Sequence, residues 1–341
     1  MDKRPNDNGD SEYSTRIDKE EYDERVHRWS KKSAEVYNNP FPVKTVNFID
    51  WDSPEFAVVP DDERWILPQS FDLGTSQWYQ DLPRERQIEV GMYRYAQIAK
   101  VGSEFEEALI SGIALRNQTL PSSSEEKRYS THEAEEEQRH ILMFNEMANR
   151  IGSKPNGAPN WFRNFSPFVG YIARKTPVGF WAIVLAGEEP IDHTQRKLID
   201  MGKKGTEIHP MLDKVMKVHV AEEARHIGFA DRFQKQHIDK LTPLQKKLFA
   251  ASLPLVLRFA ANAILKPSKQ AQADMGIPKS VVNDVWWKSE TGRKNLQDLF
   301  INTGKRADTL GLRNGDPKTG APASKIGQLA WRLADLNSRE S

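Results

Sequence analysis

The chain has 341 residues, 38% hydrophobic and 28% charged, with a formal net charge of +1 and no cysteine. Such a balance fits a globular protein with a sizeable core and long polar helix faces, and gives no electrostatic case for a nucleic-acid or anionic-membrane partner. Without cysteine there are neither disulfides nor thiolate ligands, so any metal must be held by histidines and carboxylates.

The longest apolar run, Val178 to Gly187, is too short to span a bilayer. The N-terminus, Met1-Asp-Lys-Arg-Pro-Asn-Asp, lacks the apolar stretch of a secretory signal, and a cytoplasmic location is expected. Residues 1 to about 30 are polar and charge-mixed, and are expected to form a disordered or loosely attached arm preceding a single domain over 31–341. From Tyr37 to Leu82 the composition shifts to Pro, Trp and Phe with short apolar patches. This reads as an irregular cover, with a short helix near Ser30 to Tyr37.

At Asp81-Leu-Pro-Arg-Glu85 an Asp cap and an early Pro start a helix. Its apolar positions, Ile88, Met92, Tyr95, Ile98, Val101, Phe105 and Ala108, carry it to about Ile113. Glu104 falls on this face, where a lone carboxylate is costly unless paired or metal-bound; Glu106 and Glu107 are the alternatives. Ser123 or Ser124 caps a second helix that runs to about Ile151 and carries Glu137 and His140. Glu133, Glu135 and Glu136 are expected to be solvated or supporting, and His132 to lie at the surface.

Gly152 to Thr176, with Pro155, Pro159 and Pro167, reads as a long connection over a site. A third helix starts near Pro177 and is apolar nearly all round until Glu188-Glu189-Pro190, so it should be central. One of the two acids is a ligand candidate, Glu188 being preferred, and Pro190 should kink or loosen the helix. The fourth helix spans roughly Thr206 to Gln236. Beyond it come an apolar helix from Pro243 to Leu265 with a kink expected at Pro254, a short piece around Val281 to Trp287, and helical stretches at 291–310 and 323–336. No strand alternation stands out. The expected fold is all-α: a ferritin-like bundle with a metal-binding core at about 84–237, flanking helices and an irregular N-terminal segment.

The fourth helix contains His219-Val-Ala-Glu-Glu223-Ala-Arg-His226. Residues three, four and seven apart share a helix face, so His219, Glu223 and His226 point the same way. Upstream, Glu136-Glu137-Gln-Arg-His140-Ile141 repeats Glu222-Glu223-Ala-Arg-His226-Ile227 with one change. Alone, either motif is a charged helix face and His219 a packed or solvated helix histidine. Together, Glu104, Glu137/His140, Glu188 and Glu223/His226 follow the ligand order of ferritin-like carboxylate di-metal proteins. Carboxylates outnumber nitrogens, which favours two iron ions, with manganese also compatible.

With His219 added, the pattern resembles the AurF-type non-haem di-iron N-oxygenases, the p-aminobenzoate N-oxygenase family, over roughly residues 85–265. Ala186-Gly-Glu188-Glu-Pro-Ile191 is similar to that family's third ligand helix. The resemblance implies seven ligands: Glu104, Glu137, His140, Glu188, His219, Glu223 and His226. It also implies a homodimer that uses O2 and an external electron donor to oxidise an amine nitrogen. One departure concerns the substrate. Members acting on aminobenzoate place a Tyr and an Arg shortly before the first Glu, and Tyr95-Ala-Gln-Ile-Ala99-Lys100 has no matching arginine. A hydroxylase or desaturase acting on carbon is the alternative that would not need His219. A ribonucleotide reductase role is disfavoured by Phe144 at the radical-tyrosine position, and iron storage would require a cage assembly.

Overall fold

Helices dominate because the chain supplies their start and stop signals repeatedly. The structure, a computed structural model, describes residues 19–37, 49–318, 320 and 322–336. In order, its helices are α1 (Lys19–Tyr37), α2 (Gln77–Gln80), α3 (Arg84–Asn117), α4 (Glu125–Ile151), α5 (Asn160–Phe165), α6 (Val169–Lys175) and α7 (Pro177–Lys203). They continue as α8 (Pro210–His237), α9 (Pro243–Ile264), α10 (Lys269–Asp274), α11 (Lys279–Val285), α12 (Glu290–Leu299), α13 (Ile301–Thr309) and α14 (Lys325–Leu333). No strand occurs among the described residues. Ser124 accepts from the Lys127 N–H to open α4, and Gly152, at φ 77°, closes it in a conformation that favours glycine. Thr242 and Gln245 form a reciprocal capping box at α9.

Helices α3, α4, α7 and α8 form the central bundle, with α3 packed along α4 and α7 along α8. The all-α, ferritin-like architecture follows from the apolar stripes these four helices turn inward. The first half of α7, Val178 to Ile191, is buried almost all round, and the helix continues through Pro190, as α9 does through Pro254.

Residues 19–30, expected to belong to the arm, instead form most of α1, which lies across α4 and α8. Tyr22 and Val26 are buried in the core, and Trp29 lies 6.0 Å from the Tyr129 ring. These three positions make a stripe at helical spacing, but it is narrow and flanked by charge, so it looks like a solvated segment in the sequence. The expected arm over residues 1–18 lies outside the described residues.

Of the irregular cover expected from Tyr37 to Leu82, residues 38–48 lie outside the described residues, and 49–82 is built from short turns and α2 and pinned by Trp65, Leu67, Phe71, Leu73 and Tyr79. A buried Arg94–Asp72 pair at 2.7 Å ties it to α3. The connection from Gly152 to Thr176 is more ordered than a loop. Pro159 and Pro167 start short helical turns, and α6 packs on α3. The segment Pro243–Asp274 is long and apolar enough to cross a membrane by composition, yet half of its most apolar stretch is buried against the bundle.

Candidate metal centre

Eight side chains converge in the middle of the bundle. Helix α3 supplies Glu106, α4 supplies Glu133, Glu137 and His140, α7 supplies Glu188, and α8 supplies His219, Glu223 and His226. All are buried. Their donor atoms fall within 4.8 Å of one another in overlapping triplets, among them Glu106/His140/His219, Glu133/Glu137/His226 and Glu188/His219/Glu223.

Six of the seven residues expected from the sequence are in this cluster, and Glu104 is not. Its carboxylate accepts from the Ala158 N–H at 2.6 Å and faces Arg163 at 3.7 Å, holding the connection before α5 against α3. Gly157 permits this approach, since a Cβ there would come within 2.2 Å of Glu104 Oε1. Glu106 takes the inward place. The inner face of α3 runs Tyr95, Ala99, Gly102, Glu106, Leu109, Ile113, all buried at helical spacing. Gly102 and Ala99, one and two turns before Glu106, are the signal that could have found it: small residues let α4 approach, and a Cβ on Gly102 would meet the Phe144 ring at 3.1 Å.

Glu133 was expected outside the ligand set, yet it is fully buried and neither of its oxygens has a hydrogen-bond partner. Its signal was positional: it precedes Glu137 by four residues as His219 precedes Glu223. Glu189 turns away from the cluster. It pairs with Arg306 at 2.6 Å and accepts from Thr303, while Arg306 also binds Asp231 at 2.6 Å.

The histidines are aimed by neighbours on other helices. His140 Nε2 donates to Glu222 at 2.8 Å, and His226 Nε2 donates to Glu136 at 2.8 Å. Each of these two histidines is thus held by the glutamate that precedes the ligand glutamate of the opposite helix. Their Nδ1 atoms then face inward, both 2.8 Å from Glu137 and 3.3 Å from Glu223. His219 is reversed: Nδ1 donates to Gln195 on α7 at 2.9 Å, and Nε2 lies 3.5 Å from Glu223 and 3.6 Å from Glu106. Such outer hydrogen bonds fix which nitrogen is free to bind a cation. Arg225 pairs with Glu136 at 2.6 Å, while Arg139 binds Glu135 at the bundle's outer face.

Burial holds the Glu106, Glu133 and Glu188 carboxyls well above the usual range, and neighbouring carboxylates add to it. Burial also opposes charge on Glu137, but His226 and His140 outweigh it and bring Glu137 to about 2. Those two imidazoles rise well above their ordinary value against burial because Glu137 faces them. His219 is pushed down to about 3 by burial. Both oxygens of Glu106, Glu133 and Glu188, and Nε2 of His219, find no hydrogen-bond partner. Buried polar atoms left unpaired cost roughly 1–3 kcal/mol each. Convergent carboxylates and imidazoles in that condition fit borderline cations, which would replace protons and satisfy the orphaned atoms together.

A bundle whose central helices turn carboxylates and two Glu-x-x-His motifs inward belongs to the ferritin-like carboxylate metal proteins. Comparison with known sequences narrows this. The chain belongs to the family of p-aminobenzoate N-oxygenase AurF, whose pattern matches residues 19–311, from the start of α1 to just past α13. This is a family of di-iron oxygenases. Uncharacterized proteins of Mycobacterium tuberculosis (strains CDC 1551 / Oshkosh and H37Rv) and Mycobacterium bovis are 41% identical over 324 residues, covering 95% of this chain and 90% of each relative. No solved structure is significantly similar to it.

Proposed function

We propose that the protein is a di-iron N-oxygenase that uses O2 to oxidise the nitrogen of an arylamine. The observation carrying this reading is the orphaned His219 Nε2, directed at Glu106 and Glu223 in addition to the two Glu-x-x-His pairs. Carbon-oxidising relatives would not need that third nitrogen. Two irons would be held by Glu106, Glu137, His140, Glu188, His219, Glu223 and His226, with Glu133 as an eighth donor beside Glu137 and His226. When bound, the metal pair supplies O2 activation and the redox change for oxygen transfer.

The chain's own residues do the rest. Glu136, Glu222 and Gln195 lock the imidazoles in one tautomer and orientation. Phe144, whose ring centroid is 4.9 Å from that of His219, closes the α4 side of the cluster against water. An external reductant, a homodimer and a cytoplasmic location complete the proposal.

Neither a Tyr nor an Arg stands in the two turns before Glu106, which read Ile98, Ala99, Lys100, Val101, Gly102, Ser103, Glu104, Phe105. The nearby Arg94 is already bound to Asp72. A carboxylate-bearing amine therefore has no anchor on this stretch of α3.

The test is a single turnover of the Fe(II)-loaded protein with 18O2 and a panel of arylamines, read by mass spectrometry. Expected are two irons per chain and an 18O-labelled hydroxylamine, nitroso or nitro product. Label on carbon, or O2 consumption indifferent to every amine, would overturn the reading.

A further inference from the structure

An apolar cavity of about 570 Å³ opens between α5, α6, α7 and α9. Its volume lies within the roughly 300–1,000 Å³ of small-molecule sites. No charged residue lines it. The two hydroxyls on its wall are already engaged, Thr176 donating to the Ile172 carbonyl and Ser252 to the Phe249 carbonyl. Six aromatic rings face the space: Phe105, Trp161, Phe162, Phe165, Phe249 and Phe259. Trp161, Phe165 and Phe259 are 44%, 44% and 59% exposed and form its mouth.

The inner end adjoins the metal centre through one ring. Phe105 precedes Glu106, and it lies flat over Gly187, which precedes Glu188; a Cβ on Gly187 would come within 1.9 Å of Phe105 Cζ. Glycine at 187 is what lets this ring occupy the wall between cavity and cluster.

We infer that this cavity binds neutral apolar arylamines and, resting on the N-oxygenase reading above, that it is the substrate site of that reaction. Charge decides the class. An alkylamine is a cation at neutral pH, and taking it from water into an unpaired, uncharged site costs several kcal/mol. The aromatic faces return only about 0.5–2 kcal/mol as cation–π attraction. An arylamine is uncharged at the same pH and gains from ring–ring contact, worth about 0.5–1.5 kcal/mol per pair beyond burial. An aminobenzoate carries its charge at the other end and is excluded on the same ground.

The probe is 1-aminoanthracene, whose fluorescence rises on apolar binding, titrated into the full metal-free chain. The expected result is one site per chain, displaced by p-toluidine and not by p-aminobenzoate. Ala260→Trp, filling the cavity from α9, should weaken binding at least tenfold, and Phe259→Ala, at the exposed mouth where folding is not at stake, at least threefold. Both variants should keep the wild-type circular dichroism spectrum. Absence of binding, affinity unchanged in Phe259→Ala, or equal displacement by p-aminobenzoate would overturn the inference. So would binding that falls as protein concentration rises, which would assign the cavity to a second copy of the chain. Because binding is read without metal, an amine that binds here but is not oxidised by the iron-loaded protein leaves the cavity's ligand class standing and removes only the N-oxygenase reading.

Discussion

Exchanging one carboxylate on α3 for its amide separates the two glutamates that the sequence leaves ambiguous. In Glu106→Gln a buried donor without any hydrogen-bond partner becomes neutral. Losing even an outer partner of a ligand costs about 10–100-fold in metal affinity, so loss of a direct donor should cost at least ~100-fold, about 2.7 kcal/mol. Metal-free stability should hardly move, because burial already keeps this carboxyl protonated and the amide is its isostere. In Glu104→Gln the amide oxygen still accepts from Ala158, but a charge-assisted hydrogen bond becomes a neutral one and a part-exposed pairing with Arg163 is lost. That change costs about 1 kcal/mol, a fall in Tm of roughly 1–3 °C for a chain of this size. Anaerobic Fe(II) titration against a chelator, with thermal unfolding of the metal-free proteins, reads both effects. The expected pattern is lost metal and kept Tm for Glu106→Gln, with kept metal and lowered Tm for Glu104→Gln. The reverse pattern would refute the placement of Glu106 in the centre.

Three further outcomes follow from features described above. Glu136→Gln and Glu222→Gln should each lower iron affinity about 10–100-fold without unfolding the chain; wild-type affinity in both would show that the His226 and His140 orientations do not depend on them. Arg306→Met takes the guanidinium from two buried acids, leaving Glu189 to the Thr303 hydroxyl and Asp231 to Lys235, and should cost on the order of 3 kcal/mol in urea unfolding, whereas a cost below about 1 kcal/mol would mean that the cluster is not held by this arginine. His237, stacked on Phe233, is brought down to about 4 by burial. With an unfolded value near 6.5, its contribution is complete above that pH and declines as pH falls toward 4. His237→Phe should therefore gain on the wild type between pH 7 and pH 4, by at most about 2 kcal/mol after allowing for part exposure, and parallel stability curves would rule this out.

How much could be read from the sequence depended on how many sides of each helix are buried. The α8 motif and its α4 copy were legible because spacing alone puts their ligands on one face. On α3, Val101, Phe105 and Ala108 are as buried as the inner face, so apolar flanks could not tell Glu104 from Glu106. Only the small residues at Ala99 and Gly102 mark the direction of a close neighbour. Glu133 was hidden by company: four of the five residues from Glu133 to Glu137 are glutamates, and Glu135 is a solvated partner of Arg139 whereas Glu133 is wholly buried. Glu188 was preferred over Glu189 from the sequence, but the reason Glu189 is elsewhere engaged, its pairing with Arg306 far along the chain, was not legible there. Only the C-terminal end of α1, near Ser30 to Tyr37, was expected as helix; its first part went unseen because three apolar residues among many charges suffice to dock a helix once a groove exists, and the groove is built elsewhere.

The crossed hydrogen bonds between α4 and α8 make the repeated Glu-Glu-x-x-His sequence a reciprocal latch. Glu136 readies the histidine of α8 and Glu222 readies that of α4, so neither helix is prepared for a metal without its counterpart in place. An ion held at one half would fix both helices in register and so order the donors of the other half. Loading should therefore be cooperative: at sub-stoichiometric iron, native mass spectra should show mainly empty and doubly filled chains, with few carrying a single ion.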